Sequence, residues 1–178
     1  MCFPQNVILA IYGGSCTGKT TVAKVLAERL ACPVRCCGEL VREAAKTADV
    51  GIDKLPYKAH KRIDEQTVAW LETTTRPSIL EGRHLHYVLA PGTAFIFFVR
   101  LEASVPSRSL RWQVKSGGAS PTSKVTMLDT EDDVFRLRLY PNRRPVTPSF
   151  TVDTTSLTPE ETAQCVVMRV QGIVREHD

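Results

Sequence analysis

Gly13-Gly14-Ser15-Cys16-Thr17-Gly18-Lys19-Thr20 fills the pattern G-x-x-x-x-G-K-[ST]. Ahead of it stands a continuous apolar run, Val7-Ile8-Leu9-Ala10-Ile11-Tyr12, as expected of a strand covered on both faces of a parallel sheet. Behind it, Val22, Val25, Leu26 and Leu30 recur at helical spacing, with Lys24, Glu28 and Arg29 on the other faces. A Gly-rich loop between a buried strand and an amphipathic helix is the context in which this pattern cradles phosphates. The glycines permit a tight turn that points several N–H groups inward, and the helix N-terminus adds positive potential there. Lys19 is then placed to reach the β- and γ-phosphates of a nucleoside triphosphate, and the Thr20 hydroxyl to ligate Mg²⁺. The expected donor set is Gly13, Gly14, Ser15, Cys16, Thr17, Gly18, Lys19, Thr20 and Thr21, with ATP as donor and Mg²⁺ as its metal.

The 178 residues suit one domain with ample chain for a core. Apolar residues make up 43% and charged residues 24%, the composition of an ordinary globular protein. The net charge of +4 suits an anionic small molecule and is too small to imply nucleic-acid binding. Met1-Cys2-Phe3-Pro4-Gln5 lacks a basic start and the apolar run after it breaks at Gly13, so neither a signal peptide nor a membrane span is expected. The expectation is a cytoplasmic chain, monomeric or weakly dimeric. With no sign of secretion, its six cysteines read as reduced thiols. Cys32, Cys36 and Cys37 lack the paired C-x₂-C units of a zinc site and read as small apolar side chains. Cys16, inside the loop, is either an oxidation-sensitive thiol or a permitted filler.

Beyond the first helix the pattern alternates. Residues 33–37 read as a strand, 38–46 and 56–73 as helices, 77–80 as a strand, and 94–99 as a strongly apolar strand. Residues 105–115 read as a basic helix, 116–130 as a flexible stretch containing Gly117-Gly118, 132–140 as a charged helix, and 150–153 as a fifth strand. Thr158-Pro159-Glu160-Glu161 opens the last helix with an N-cap, a proline at N1 and a capping box. Strands alternating with helices imply an α/β fold with a mainly parallel sheet.

Ligands in such sheets bind at the carboxyl ends of the strands. There the chain carries Gly38-Glu39 with Arg42, and Glu81-Gly82-Arg83; elsewhere it carries Ile63-Asp64 and Val152-Asp153-Thr154-Thr155-Ser156-Leu157-Thr158-Pro159-Glu160-Glu161. With residues 13–21, these segments resemble, over nearly the whole length, the nucleoside monophosphate kinases, and among them the compact archaeal type of cytidylate kinase. The resemblance implies a three-layer α/β/α P-loop kinase fold with a five-stranded parallel sheet. It also implies an acceptor-binding arm at about residues 38–75 and a lid at about 114–140. It assigns Arg42 and Arg83 to the acceptor phosphate, Glu81 beside Thr20 to the metal, and Asp64 to the acceptor's base or sugar. Guanidinium forks suit a phosphate dianion, and an idle carboxylate is costly at the end of an apolar strand such as the one Glu81 closes.

Where the family has a polar base-reading residue, this chain has His84-Leu85-His86, and His84 either reads a base edge or caps a helix. Lid cations that neutralise the transferring phosphoryl fall to Arg136 and Arg138, which join Lys19 and Arg83 as candidate catalytic residues. Arg108 and Arg111 share a helical face; either serves the donor side, with Arg111 taken as the ATP contact, or both belong to a solvated basic helix. The expected activity is phosphoryl transfer from ATP to a CMP- or dCMP-like acceptor. Two alternatives remain: a small-molecule kinase of the shikimate or gluconate type, and a nucleotide-binding regulatory module without efficient transfer.

Overall fold

The first strand, β1 (Ile8–Tyr12), is buried along its whole length, and its alternate side chains enter different cores. Leu9 and Ile11 join Val22, Leu26, Ala163 and Val166 on one face. Ile8, Ala10 and Tyr12 join Leu71, Leu85, Leu139 and Tyr140 on the other. Apolar side chains on both faces place the strand inside a doubly covered sheet.

In this computed structural model, residues 3–89, 96–118 and 123–177 are described. After β1 come α1 (Lys19–Leu30), β2 (Val34–Cys36), α2 (Cys37–Thr47), a 3-10 turn (Ile52–Lys54), α3 (Tyr57–Thr73) and β3 (Ser78–Glu81). Then follow α4 (Leu85–Val88), β4 (Ile96–Glu102), α5 (Val105–Ser116), α6 (Ser123–Leu139), β5 (Phe150–Asp153) and α7 (Pro159–His177). The strands form one five-stranded parallel sheet of order β2-β3-β1-β4-β5. The core against α1 and α7 covers one face, and the core shared by α3, α4 and α6 covers the other. This is the expected three-layer α/β fold. No helix among the described residues is long and apolar enough to cross a membrane.

From β1 the chain passes beyond β3 to β2, returns through β3, and crosses to β4 on the other side of β1. The strand order therefore reverses beside β1, which opens a crevice at the carboxyl ends of β1, β3 and β4. Residues 13–18, Glu81-Gly82-Arg83 and Ser104 all lie at those ends.

Most boundaries fall within a residue of the sequence expectation, the short α4 was not expected, and two elements differ by more. The fourth strand, expected at 94–99, extends to Glu102, while residues 94 and 95 lie outside the described residues. The stretch 116–130, expected to be irregular, contributes its residues from Ser123 onward to α6; residues 119–122 lie outside the described residues. No glycine or proline interrupts residues 123–139, and Val125 is fully buried, so packing completes a helix that its polar composition conceals. Gly117, at φ +70°, ends α5 with its N–H on the Gln113 carbonyl. The start of α7 matches its sequence signature: the Glu161 N–H donates to Thr158 Oγ1 at 3.1 Å, and the Thr158 N–H donates to Glu161 Oε2 at 2.8 Å.

Candidate functional site

The turn between β1 and α1 needs glycine at two places. A Cβ on Gly13, at φ +146°, would lie 2.2 Å from the Leu101 carbonyl oxygen of β4, and Gly18 holds φ +90°. Cys16 adopts φ +60°, a conformation that side-chain-bearing residues use sparingly. The turn is tied down from behind by the end of β5. The Thr154 hydroxyl, on a residue 2% exposed, donates to the Thr17 carbonyl at 3.0 Å. Arg111 donates to the Cys16 carbonyl at 3.3 Å and to Thr154 Oγ1 at 3.0 Å, and also reaches the Thr154 carbonyl.

Around the turn lie cationic and anionic side chains. Lys19 Nζ donates to the Gly14 carbonyl at 2.7 Å; desolvation pushes its pKa down to about 8, with Glu81 opposing the fall. Thr20 Oγ1 donates to Glu81 Oε2 at 3.1 Å. Glu81 is 3% exposed, ends β3 opposite Ile11, and makes no ion pair among the described residues. A buried carboxylate touching a hydroxyl is an oxygen pair that fits Mg²⁺. Among the described residues no group of three or more His, Cys, Asp or Glu side chains is arranged to cage a metal.

Two guanidiniums converge on Ser15. Arg83 Nη2 donates to Ser15 Oγ at 2.9 Å, and its Nη1 pairs with Asp132 of α6. Arg108 of α5, 8% exposed, reaches the Ser15 carbonyl at 3.4 Å. Asp129 of α6 receives both terminal nitrogens of Arg108, at 2.9 and 2.7 Å. The two carboxylates lie three residues apart, close to one helical turn, so α6 presents both to the phosphate loop.

Two cavities meet here. One, of about 600 Å³, lies between α2, α3, α4 and α6; the other, of about 860 Å³, reaches the loop through Gly13, Gly14 and Thr17. Arg83, His84 and Asp132 line both. Arg42, exposed at the rim, also lines the first cavity, as do Asp64 and Arg138. The Asp64 carboxylate accepts a hydrogen bond from the Tyr140 hydroxyl; burial raises its pKa to about 6, and that hydrogen bond opposes the rise. Arg138 donates to the Tyr57 hydroxyl at 3.1 Å. Arg136 lines the second cavity, with its guanidinium 5.2 Å from the Tyr87 ring centroid. His84 sits at the N-cap of α4 without capping it through its side chain; burial and the neighbouring Arg83 push its pKa down to about 3, leaving a neutral imidazole.

The structure thus gathers Lys19, Thr20, Glu81 and Arg83 at the loop, and Arg42, Asp64, Arg83, His84 and Arg138 around one cavity. Arg111 is engaged by the loop backbone and Thr154, while Thr21, on α1, is exposed. Sequence reasoning did not single out Asp129, Asp132, Thr154, Tyr57, Phe135 or Tyr140. Thr154 lies within the quoted Val152-Asp153-Thr154-Thr155 segment, and Phe135 and Leu139 stand four apart on α6, the only local signals of their roles.

No protein-family model matches the sequence, and no curated protein matches it significantly. Solved structures do share its fold. A gluconokinase from Sinorhizobium meliloti aligns with a TM-score of 0.64 at 16% identity, covering 99% of this chain and 97% of its own. A shikimate kinase from Acinetobacter baumannii in complex with shikimate aligns with a TM-score of 0.61 at 18% identity, covering 94% of each chain. An uncharacterised protein from Eubacterium ventriosum aligns at 0.62 and 15% identity, covering 93% of this chain and 98% of its own. The chain has the fold of the P-loop kinases.

Proposed function

We propose that the protein transfers the γ-phosphoryl group of ATP to a hydroxyl of a small-molecule acceptor. One observation carries this reading: a phosphate loop with a Thr20–Glu81 pair lies beside a separate cavity, and the two meet at Arg83, His84 and Asp132. On this reading residues 38–75 form the acceptor arm and residues 114–140 the lid. Lys19 and the loop N–H groups hold the donor phosphates, and Thr20 with Glu81 would hold Mg²⁺, which when bound neutralises charge on those phosphates. Arg83 and Arg108, already aimed at Ser15, and Arg136 from the lid take up charge on the phosphoryl in flight. The acceptor oxygen forms a bond to the γ-phosphorus as the bond from that phosphorus to the β–γ bridging oxygen breaks. ADP departs with the electron pair. The hydroxyl proton passes to Asp132, the carboxylate that lines both cavities among the described residues.

A nucleoside monophosphate acceptor is the second reading, favoured by Arg42 and Arg83 lining one cavity. Against it, Arg83 is aimed at the phosphate loop through Ser15 while Arg42 stands exposed at the rim, so the two form no fork for a dianion. The gluconokinase and the shikimate kinase of like fold weigh on the same side. An ADP-release assay over polyol acids, hydroxylated ring compounds and nucleoside monophosphates is expected to show turnover with a hydroxyl acceptor. Lys19→Ala should lower that turnover by about 10²-fold or more. Near-normal turnover in this variant would refute the assignment. Tight ATP binding with no product from any acceptor would instead favour a regulatory module.

A further inference from the structure

The wall of the 600 Å³ cavity does not match the acceptors named for the kinases of like fold. Ile52, Tyr57, Met127 and Val134 all line it, and all four are exposed, at 50%, 40%, 44% and 46%. Apolar side chains left facing water are ordinary when scattered; gathered around one concavity, they mark a place where something apolar is received.

Phe135 of α6 also lines the cavity. The Tyr57 ring stacks with it at 5.3 Å, the His60 ring meets it edge-on at 4.6 Å, and the His84 ring lies 6.2 Å away. Aromatic groups in these arrangements offer both faces and edges to a further ring. The wall also carries charged side chains, Arg42, Asp53, Arg83, Glu131, Asp132 and Arg138 among them; the polar groups that touch Phe135 are the two imidazoles. His60 Nε2 and His84 Nε2 are buried and have no hydrogen-bond partner among the described residues. Burial lowers the pKa of both imidazoles, so each is neutral at physiological pH and offers a donor or an acceptor. Asp64, bonded to Tyr140, supplies a carboxylate.

A polyol acid would find partners among the charged groups but would leave the rings and the four exposed apolar side chains without an apolar partner. A planar ring with two or three polar edge atoms would satisfy the wall and the orphaned imidazoles together.

We propose that the acceptor is a planar aromatic or heteroaromatic compound bearing a pendant hydroxyl. Its ring packs among Tyr57, Phe135 and His60, and its hydroxyl is directed toward Arg83 and Asp132. This rests on the phosphotransfer reading for the fate of the hydroxyl, and on the cavity wall alone for the ring. Nucleosides and non-nucleoside ring alcohols share this chemistry, and the probes separate them.

Isothermal titration of the Lys19→Ala protein, in which transfer is expected to be slow, is carried out without ATP with cytidine, thymidine, pyridoxine, gluconate, shikimate and CMP. ADP release by the wild type is measured with the same compounds. At least one ring alcohol is expected to bind and to be phosphorylated, nucleosides pointing to one source and pyridoxine to the other. Tyr57→Ala, a change at an exposed position, should raise the KM for that compound about five- to tenfold, with kcat and the KM for ATP within about twofold. Phe135→Leu, which keeps an apolar core residue, should act in the same direction. Binding of a ring compound without transfer would uphold the ring site and sink the phosphotransfer reading. Transfer only to gluconate or shikimate, transfer only to CMP with cytidine inert, or no binding of any ring probe up to its solubility limit would overturn the proposal and leave phosphotransfer to be judged on its own.

Discussion

Lys19 and Asp64 are the residues whose surroundings most clearly set a pH response. Desolvation lowers the Lys19 pKa to about 8, and a polyphosphate beside the ammonium would raise it again. ATP affinity should therefore be full below pH 8 and fall as pH rises through it, approaching tenfold per unit at higher pH. Titration calorimetry between about pH 7 and 9.5 reads this directly, and Lys19→Arg, which stays charged, should flatten the curve. An affinity for ATP independent of pH in the wild type would contradict the assignment of Lys19. Asp64 has the opposite sense. Its pKa is raised from 3.8 to about 6, so the folded state holds its proton more firmly than the unfolded chain. The stability this contributes is present below pH 3.8 and is lost as pH rises through 6. Asp64→Asn, which can still accept from Tyr140, should thus be more stable than the wild type at pH 7, by about 1–2 kcal/mol. Thermal melts at pH 5 and pH 7 test it: the gain should shrink at the lower pH. On the proposed reading, this costly carboxylate belongs to the acceptor cavity that it lines.

Among the elements, the contrast between α7 and α6 shows what a sequence reveals. The start of α7 is written in four adjacent residues, and its reciprocal Thr158–Glu161 hydrogen bonds depend on nothing distant. Thr158→Ala should cost about 1 kcal/mol in urea unfolding and leave any catalytic constants unchanged. The strand–loop–helix unit from β1 to α1 was legible for the same reason, since its apolar run, glycines and helical stripe are local. The beginning of α6 was not. Its polar first turns carry no single apolar stripe, and packing rather than pattern makes it helical. The candidate site divides in the same way. Lys19 and Thr20 come from a contiguous motif, whereas Thr154 meets Thr17 across 137 residues and Arg108 meets Ser15 across 93. No periodicity records such pairs. The aromatic wall was hidden too, because Tyr57 and Phe135 belong to separate helices that only the folded chain brings together.

At the scale of the whole molecule, the reversal of strand order beside β1 brings the loop, Glu81, Arg83 and the Thr154 strap to one crevice, and α6 crosses its mouth. Asp129→Ala should make unfolding easier by about 1–3 kcal/mol, because Arg108, with a side chain 9% exposed, loses its carboxylate partner. ATP should then raise the melting temperature more in this variant than in the wild type, with a phosphate taking the place that Asp129 gives up. An equal rise in both proteins would show that Arg108 never meets the nucleotide. The pairs Arg108–Asp129 and Arg83–Asp132 carry a broader implication. On the proposed reading, nucleotide capture would be an ion exchange: the phosphates would have to displace carboxylates tethered to the same chain. The tether sets a high local concentration of the competing anion that no dialysis can lower. Selectivity at the loop then comes from outcompeting a resident anion rather than from attraction alone. A lone phosphate gains little from that exchange, whereas a triphosphate, able to engage both guanidiniums at once, gains twice.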